Sequence, residues 1–314
     1  MGPDNSWLFY FFFIDSHIHP VVQATNNNSS ANLLIPAGIS PPCTTFLNTL
    51  NTDPTLASCL STLTNITSAF APGGPTPSSS EVTSTLTNLC ANSVPGVCSE
   101  SLIRTQIMAF YAACPNELTS SPVQAVRTIY DVLYALLPLQ TSICSKDDSK
   151  NWCVYGPAAT ARDFDEDASF SISEILALLY IKKDSGALTR RDQAAIVPNT
   201  AAIASENLPY LFFTPNLSEA QLCVPCLRQV LTAYIKFESD IPFSYGLNNS
   251  VLLGAQSALY TAVQSKCPAN FLTGAVQAAG GLSGSSAIPT YGGEYQRIFA
   301  LVMGAVTMMI TVAL

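Results

Sequence analysis

The chain has 314 residues and a formal net charge of −8; 48% of its residues are hydrophobic and only 11% are charged. This length and apolar content are sufficient for one large domain or two smaller ones. The excess of acidic over basic residues, without any basic cluster, argues against nucleic-acid binding. Low charge combined with many Ser, Thr and Asn residues is typical of a glycosylated surface.

Residues 1–24 are predicted to form a signal peptide. Trp7–Ile14 is a short apolar core, and Val22 and Ala24 place small or apolar residues at the −3 and −1 positions of a cleavage site. The segment departs from the usual pattern because it has no basic start and carries Asp4. A signal peptide sends the chain into the secretory pathway.

Residues 25–42 are polar, rich in Asn and then in Pro, which predicts a flexible, glycosylated lead-in. N-x-[ST] acceptor sequences for glycosylation occur here and further along the chain, at Asn27, Asn28, Asn65, Asn216 and Asn248. Each acceptor sequence is a weak signal alone, but together they agree with a secreted protein.

From Cys43 onwards the apolar residues recur at helical spacing. Asp53 and Pro54 predict a helix start, because Asp caps a helix and Pro suits its first position. Further helices are predicted over Ser80–Cys90, from Ser99, from Ser121 until Pro138 bends or ends it, and over Ser173–Lys183, Ser218–Glu238, Asn249–Lys266 and Phe271–Ala279. Strand signals are few. The sequence therefore predicts an all-α fold, a helical bundle stitched together by disulfides.

The predicted ectodomain, residues 43–279, contains a soft internal boundary within residues 145–206, a polar connector that holds many of the acids. A weak internal likeness crosses this boundary. Thr105–Leu118 and Ala255–Leu272 both place Gln and Tyr on a helix that ends in Cys-Pro. This likeness predicts two related helical halves.

All ten cysteines lie in this ectodomain, at Cys43, Cys59, Cys90, Cys98, Cys114, Cys144, Cys153, Cys223, Cys226 and Cys267. An even number of cysteines in a secreted chain predicts up to five disulfides. Sequence does not give the pairing, and Cys90–Cys98 and Cys144–Cys153 are hypotheses based on proximity. Structural zinc is disfavoured because its sites need paired cysteine or histidine knuckles.

The end of the chain predicts a lipid anchor. Residues 298–314 form an uncharged apolar tail, and residues 280–297 before it supply small residues and a polar spacer. This order is that of a GPI-attachment signal, with Ser285 as the predicted attachment site and Gly284 or Ser283 as alternatives. A short tail anchor or a buried terminal helix is the other interpretation, which the lack of flanking charge disfavours.

Two residue types limit the possible chemistry. The only histidines, His17 and His19, lie in the predicted signal peptide, so the mature chain would lack imidazole for catalysis or metal binding. Cys223 and Cys226 form a C-x-x-C, but the pattern on both sides is helical, whereas a redox motif of the thioredoxin type follows a strand. We interpret both cysteines as structural.

One acidic stretch suggests a metal site. Asp163, Asp165, Asp167 and Glu174 fall at positions 1, 3, 5 and 12 of a calcium-binding EF-hand loop. Ala168 occupies position 6, where the tight turn needs Gly. A solvated acidic loop is therefore favoured, and we predict no metal and no cofactor.

A group of motifs lies in Leu222–Phe271: the C-x-x-C, an A-Y-x-x-x-E helix, a P-[FY]-x-x-G-L segment, a G-x-Q-x-x-L-[WY] helix and a closing cysteine. In these motifs the chain resembles an uncharacterised family of fungal secreted proteins, often predicted to be GPI-anchored, that contain a domain of unknown function. The likeness extends back to the stretches at Cys43 and Cys59. It implies a location at the fungal wall or plasma membrane and brings no catalytic residues.

The sequence thus predicts a GPI-anchored fungal cell-surface or cell-wall protein without catalytic activity, in a structural, adhesive or ligand-binding role. The expected partners are the membrane, through the lipid, and a cell-wall polysaccharide or a surface protein; nucleic acid is not expected. The alternative is a carboxylate-dependent, cell-wall-modifying glycoside hydrolase or transglycosylase. Such an enzyme needs two carboxylates about 5–9.5 Å apart in a cleft.

Overall fold

The computed structural model describes residues 35–70, 78–91, 93–155, 180–183 and 195–272, and all of them belong to one compact unit. Several predicted features lie outside the described residues: the signal peptide, Asn27 and Asn28, the acidic loop with Asp163, Asp165, Asp167 and Glu174, the attachment residues Ser283, Gly284 and Ser285, and the tail 298–314. These features stay predictions.

The first part of the chain is helical, as predicted. Its helices are α1 (Pro41–Thr52), α2 (Pro54–Thr67), α3 (Ser79–Leu89), α4 (Ser93–Val97) and α5 (Glu100–Ala113), and a 3₁₀ turn, Ser68–Phe70, follows α2. Asp53 caps α2 by accepting hydrogen bonds from the amides of Thr55 and Leu56 at 2.8 and 2.9 Å. The helix start predicted from Asp53 and Pro54 is therefore confirmed.

The longest helix in the described residues is α6, Gln124–Cys144, which follows a single π turn at Asn116–Ser120. Pro138 lies inside α6 without ending it. A proline in a helix removes one backbone hydrogen bond. Here α6 buries both Pro138 and the adjacent Leu139, and Ser142 donates a hydrogen bond from its hydroxyl to the Pro138 carbonyl at 2.7 Å. The burial of these apolar side chains stabilises the helix and so offsets the backbone hydrogen bond that the proline removes.

Two short strands depart from the all-α prediction. Strands β1 (Tyr180–Lys183) and β2 (Ala195–Pro198) pair antiparallel, with Tyr180 opposite Pro198. The helix predicted over Ser173–Lys183 is therefore wrong at its end, and its earlier residues lie outside the described ranges. A short apolar run does not distinguish helix from strand, and here pairing with a β-branched partner strand decided the outcome.

The later helices are α7 (Thr200–Ser205), α8 (Glu219–Leu222), α9 (Pro225–Asp240) and α10 (Gln256–Lys266), with 3₁₀ turns at Cys153–Tyr155, Leu208–Tyr210 and Leu247–Asn249. The single helix predicted over Ser218–Glu238 is broken between α8 and α9. Pro225 is the reason, because it cannot donate the backbone hydrogen bond that would continue α8. The helix predicted from Asn249 begins only at Gln256, and the short helix predicted from Phe271 is not helical at Phe271 and Leu272.

The core is built around α6 and α9, which pack directly against each other. These helices lie on opposite sides of the soft boundary proposed at residues 145–206. Four of the largest fully buried side chains are tyrosines, at Tyr130, Tyr134, Tyr210 and Tyr234. Their hydroxyl groups need buried hydrogen-bond partners. Tyr234 donates to the Pro209 carbonyl at 2.8 Å, and the partners of the other three belong to the site described below.

All ten cysteines form disulfides, which confirms the predicted number: Cys43–Cys114, Cys59–Cys98, Cys90–Cys144, Cys153–Cys226 and Cys223–Cys267. The two hypotheses based on proximity, Cys90–Cys98 and Cys144–Cys153, are wrong. Cys90 ends α3 and Cys144 ends α6, and the packing of these two helices brings the two ends together.

One disulfide joins the two parts of the helical unit. Three disulfides lie wholly before residue 156 and one lies wholly after residue 194, whereas Cys153–Cys226 connects the two parts. Cys114 and Cys267 each close the helix of the predicted duplication, which itself stays a prediction. Within the described ranges, no helix is long and apolar enough to cross a membrane.

Candidate functional site

Asp131 is the centre of a buried polar cluster. It lies on α6 and its side chain is fully buried. One carboxylate oxygen, Oδ2, accepts hydrogen bonds from the Ser250 hydroxyl at 2.7 Å and from the amides of Val251 and Leu252 at 2.7 and 3.0 Å. The other, Oδ1, accepts a hydrogen bond from the Tyr245 hydroxyl. Both oxygens are therefore used within the fold.

This arrangement explains why α10 starts late. The amides of Val251 and Leu252 point at the Asp131 carboxylate instead of continuing a helix. Ser250 supports the same turn, because its hydroxyl oxygen also accepts a hydrogen bond from the Leu253 amide at 2.8 Å. Asp131 thus fixes the segment that leads into α10.

A cation lies next to the cluster but does not pair with Asp131. The Arg127 guanidinium is 4.8 Å from the centre of the Tyr245 ring and donates to the Leu118 carbonyl at 2.9 and 2.7 Å. The only ion pair among the described residues is the exposed Arg104–Glu100 pair. The negative charge of Asp131 is therefore balanced by dipoles rather than by a neighbouring charge.

Burial dominates the ionisation of this cluster. It raises the pKa of Asp131 to about 6, although the hydrogen bonds from Tyr245, Ser250 and the two amides favour the charged form. Burial and the nearby Asp131 carboxylate raise the pKa of Tyr245 above its usual range. Tyr245 therefore remains a hydrogen-bond donor at any physiological pH.

An aromatic cluster borders Asp131. Tyr130 and Tyr134 on α6 meet Phe243 edge-on, with ring centres 5.4 and 4.8 Å apart. Their hydroxyls reach the segment after α9: Tyr130 is 2.8 Å from the Ser244 hydroxyl, and Tyr134 donates to the Ile241 carbonyl. Side chains of α6 therefore form hydrogen bonds near both ends of the segment from Ile241 to Leu252.

A second carboxyl group, that of Glu238, lies on the neighbouring helix α9. Its Oε2 accepts a hydrogen bond from the Gln256 amide at 2.9 Å, and Gln256 in turn accepts one from the Tyr210 hydroxyl at 2.6 Å. Its Oε1 is buried and has no partner among the described residues. Burial raises the pKa of Glu238 to about 7.

The two carboxyl groups differ in what they can do. Asp131 is fully buried and has no free oxygen, so it positions chain segments rather than meeting a ligand. Glu238 is partly buried, has a free oxygen and can exchange a proton near neutral pH. Of the two carboxyl groups, only that of Glu238 has an oxygen without a hydrogen-bond partner in the described part of the chain.

Cys43, Cys114 and Glu117 are the one group of potential metal ligands that lies close together in the described part of the chain. The two sulfurs form a disulfide and so offer no thiolate to a metal. The Glu117 carboxylate accepts a hydrogen bond from the Ser40 amide at 2.6 Å, and its Oε2 has no partner within the described residues. Burial raises and the Ser40 hydrogen bond lowers the pKa of Glu117, and the net change is a lowered pKa.

The structure does not bring the predicted site residues together: the described glycan acceptors lie on the surface, and the cysteines are in disulfides. Asn65, Asn216 and Asn248 are all exposed, as glycan acceptors must be, although glycosylation itself stays a prediction. Cys223 and Cys226 are bonded to Cys267 and Cys153, not to each other. The interpretation of the C-x-x-C as two structural cysteines is therefore confirmed.

Neither Asp131 nor Glu238 was predicted from the sequence as a site residue. A signal for Asp131 was available, because this acid interrupts an apolar helical run between Tyr130 and Val132. An acid on the buried face of a helix needs donors from elsewhere in the fold. For Glu238 the available signal was its place as the acid of the A-Y-x-x-x-E motif.

Comparison with known proteins finds similarity to one domain family, whose biochemical activity is unknown. Residues 22–176 match the model of a family described as a domain of unknown function, DUF7729. No curated protein and no solved structure matches the chain significantly. The matched residues include α1–α6 and Asp131, but not the donors from Tyr245 to Leu252. Over residues 22–176, slightly less than half of its length, the chain is therefore similar to this uncharacterised domain family.

Proposed function

We propose that this chain is a GPI-anchored fungal cell-surface or cell-wall protein, without catalytic activity, in a structural, adhesive or ligand-binding role. The observation that carries this proposal is the oxidation of all ten cysteines into five disulfides that tie helices together. Disulfides of this number persist in oxidising compartments and are rare in the cytosol. The GPI-type tail and the exposed glycan acceptors agree with that location.

The geometry of the polar cluster supports a non-catalytic role. A hydrolytic carboxylate has to meet its substrate, but Asp131 is fully buried and accepts hydrogen bonds from four groups of its own chain. A buried and fully bonded polar group of this kind gives a fold its specific arrangement. The cluster therefore fits a rigid ectodomain better than an active site.

Phospholipase release tests this proposal. Intact fungal cells that express the protein are treated with a GPI-specific phospholipase C, and the supernatant is probed for the protein. We expect release, whereas a variant with bulky replacements at Ser283, Gly284 and Ser285 should not reach the surface in a releasable form. A membrane protein with a spanning helix serves as the negative control. Retention of the protein on treated cells would contradict the anchor.

Glu238 favours a second candidate, the wall-modifying hydrolase. This carboxyl has a pKa of about 7, which suits a general acid near neutral pH, and its Oε1 has no hydrogen-bond partner among the described residues. The test is release of soluble sugars from insoluble β-glucan by the purified protein. The hydrolase requires a signal that Glu238→Gln abolishes, and the non-catalytic proposal expects no sugar release from either protein.

A further inference from the structure

The three described N-x-[ST] acceptor sequences differ in backbone conformation. Asn65 lies in α2, Asn248 lies in the 3₁₀ turn Leu247–Asn249, and Asn216 lies before α8 in a stretch that is neither helix nor strand. All three asparagines are exposed. Exposure of the asparagine therefore does not distinguish the three sites, and the hydroxyl residue two positions later has to be compared.

Glycan transfer uses the asparagine and this hydroxyl residue together. The donor is an oligosaccharide on a lipid diphosphate, which the transferase of the secretory pathway supplies. The bond from C1 of the first sugar to the diphosphate oxygen breaks, a bond from C1 to the asparagine Nδ2 forms, Nδ2 loses one proton, and the lipid diphosphate leaves. The transferase recognises the acceptor through the Ser or Thr hydroxyl. Both side chains therefore have to reach one enzyme site from the same side of the chain.

In α2 the two side chains of the acceptor point in different directions. Successive residues of an α-helix are rotated by about 100°, so that positions i and i+2 lie on nearly opposite faces. Asn65 is exposed, whereas Thr67 is fully buried and donates its hydroxyl to the Leu63 carbonyl at 3.0 Å. The acceptor at Asn65 is therefore unusable while α2 is folded.

At Asn248 the hydroxyl belongs to the polar cluster. Ser250 donates its hydroxyl to Asp131 Oδ2 at 2.7 Å, and its oxygen accepts a hydrogen bond from the Leu253 amide at 2.8 Å. The Asn248 side chain is held as well, because its Oδ1 accepts a hydrogen bond from the Ser257 hydroxyl at 2.7 Å. An enzyme can bind this acceptor only after the contact with Asp131 breaks, so the folded chain does not present it.

The acceptor at Asn216 is free of both restrictions. Ser218 is exposed and has an extended backbone, with φ −64° and ψ 162°. Its hydroxyl donates to the Gln221 side chain at 2.8 Å, in a contact that is exposed to solvent. Rotation of a side chain releases this hydroxyl without any change in the backbone. Asn216 and Ser218 can therefore be presented together by the folded chain.

The buried contacts of this segment involve its backbone rather than the acceptor side chains. The Lys266 ammonium group donates to the carbonyls of Pro215 and Leu217, each at 2.8 Å. These two residues flank Asn216 in the chain. Lys266 therefore anchors the segment through the carbonyls on either side of the asparagine and leaves the exposed Asn216 side chain accessible.

We propose that Asn216 is the described acceptor that the folded chain can receive a glycan on, and that Asn65 and Asn248 accept one only before α2 and the Asp131 contacts form. Asn216 thus has two opportunities for modification, during synthesis and after folding, and the other two asparagines have one. This inference rests on the proposed passage through the secretory pathway, and it assigns the position at which folding does not prevent modification.

Glycan transfer to the folded chain in vitro tests this assignment. The protein is made in cells treated with tunicamycin, which blocks synthesis of the lipid-linked donor, and is then incubated with purified oligosaccharyltransferase and that donor. A second sample is first reduced and alkylated. Peptide mass spectrometry measures each acceptor. We expect transfer to Asn216 of the folded chain to be at least about tenfold faster than transfer to Asn65 or Asn248, since these two require local unfolding. The reduced chain should be modified at all three.

Two variants at exposed positions serve as controls. Asn216→Gln removes the acceptor amide, and Ser218→Ala keeps the asparagine but removes the hydroxyl. Each should abolish transfer to the folded chain and leave transfer to Asn65 and Asn248 in the reduced chain unchanged. Peptide mapping without reduction verifies the five disulfides of the folded sample. Protein secreted into the bacterial periplasm, which is also oxidising, replaces a sample in which these disulfides are incomplete.

Comparable transfer to Asn65 or Asn248 in the folded chain would overturn the inference, as would transfer to Asn216 only after reduction. Glycan mapping of protein from untreated cells is a separate measurement. Occupancy at Asn216 below that at Asn65 or Asn248 would also overturn the inference. If the cellular protein carries no glycan at any of the three, while the isolated folded chain accepts one at Asn216, the proposed location is contradicted and the assignment of Asn216 is upheld.

Discussion

The Tyr245 hydroxyl donates a hydrogen bond to the Asp131 carboxylate across 114 residues of chain. This bond crosses the polar connector and links α6 to the turn before α10. The same carboxylate also fixes Ser250, Val251 and Leu252. One acid in the early part of the helical unit therefore positions the segment from Tyr245 to Leu252 in its late part.

Replacing Asp131 should destabilise the protein severely. In Asp131→Asn an amide N–H₂ faces the hydroxyl or amide donors, so at least one buried donor loses its acceptor. We expect the free energy of unfolding to fall by about 2–4 kcal/mol. Urea denaturation measures this loss, with Asp240→Asn as a control at an exposed position. Equal stability of Asp131→Asn and the control would show that the cluster contributes nothing.

Removing only the Tyr245 hydroxyl should have a smaller effect. Tyr245→Phe keeps the ring and its contact with Arg127 but leaves Asp131 Oδ1 without a donor. The expected loss in unfolding free energy is about 1–3 kcal/mol. Tyr260→Phe, at a partly buried position on α10, is the matched control. A loss for Tyr245→Phe no larger than that of the control would contradict this role.

Stability should decrease as the pH rises from acidic to neutral. The pKa of Glu238 is about 7 in the folded chain, compared with an ordinary value of 4.5. The pKa of Asp131 is about 6 in the folded chain, compared with an ordinary value of 3.8. As the pH rises the unfolded chain releases these protons first. The folded chain therefore binds more protons between about pH 4 and 7, and the unfolding free energy falls over this window.

The Glu238→Gln variant isolates one of these two groups. For Glu238 alone we expect the native protein to be about 1–2 kcal/mol more stable at pH 5 than at pH 8, allowing for its partial exposure. Urea denaturation at both pH values should show that Glu238→Gln reduces this difference, whereas Glu219→Gln at an exposed position leaves it unchanged. Stability that rises from pH 5 to pH 8 in the native protein would contradict the prediction.

The Cys153–Cys226 disulfide should contribute to the stability of both parts of the helical unit that it joins. It closes a separation of 73 residues and joins the two parts of the helical unit. The Cys153→Ala and Cys226→Ala double variant should lose about 2–5 kcal/mol of unfolding free energy. Peptide mapping without reduction should recover all five pairs from the native protein. Recovery of a Cys90–Cys98 or Cys144–Cys153 peptide would show that the pairing is wrong.

Much of the helical structure was predictable, because its signals are local. Asp53 and Pro54 marked the start of α2 as expected, and the apolar spacing located α5 and α6. A predicted helix boundary was wrong where a distant side chain accepts hydrogen bonds from the backbone amides that a helix would use. The amides of Val251 and Leu252 bind Asp131, so the helix expected from Asn249 begins only at Gln256.

The candidate site was not predictable in the same way. An aspartate in an apolar helical run indicates a buried acid, but its donors lie beyond residue 240 and nothing in their spacing identifies them. Glu238 is the acid of the A-Y-x-x-x-E motif, but the motif does not show that this acid is buried. Its raised pKa exists only because folding buries the carboxyl group, and the hydrogen bond from Gln256 opposes this rise only in part.

The sequence by itself determined the helical class, the even set of cysteines and the shortage of charge in the first part of the chain, because these depend on residue type and on spacing over one or two helical turns. The tertiary structure alone decided which cysteines meet, where the two short strands pair and what surrounds Asp131. These contacts close loops of tens of residues. Their geometry follows from the packing of whole helices, which local spacing does not contain.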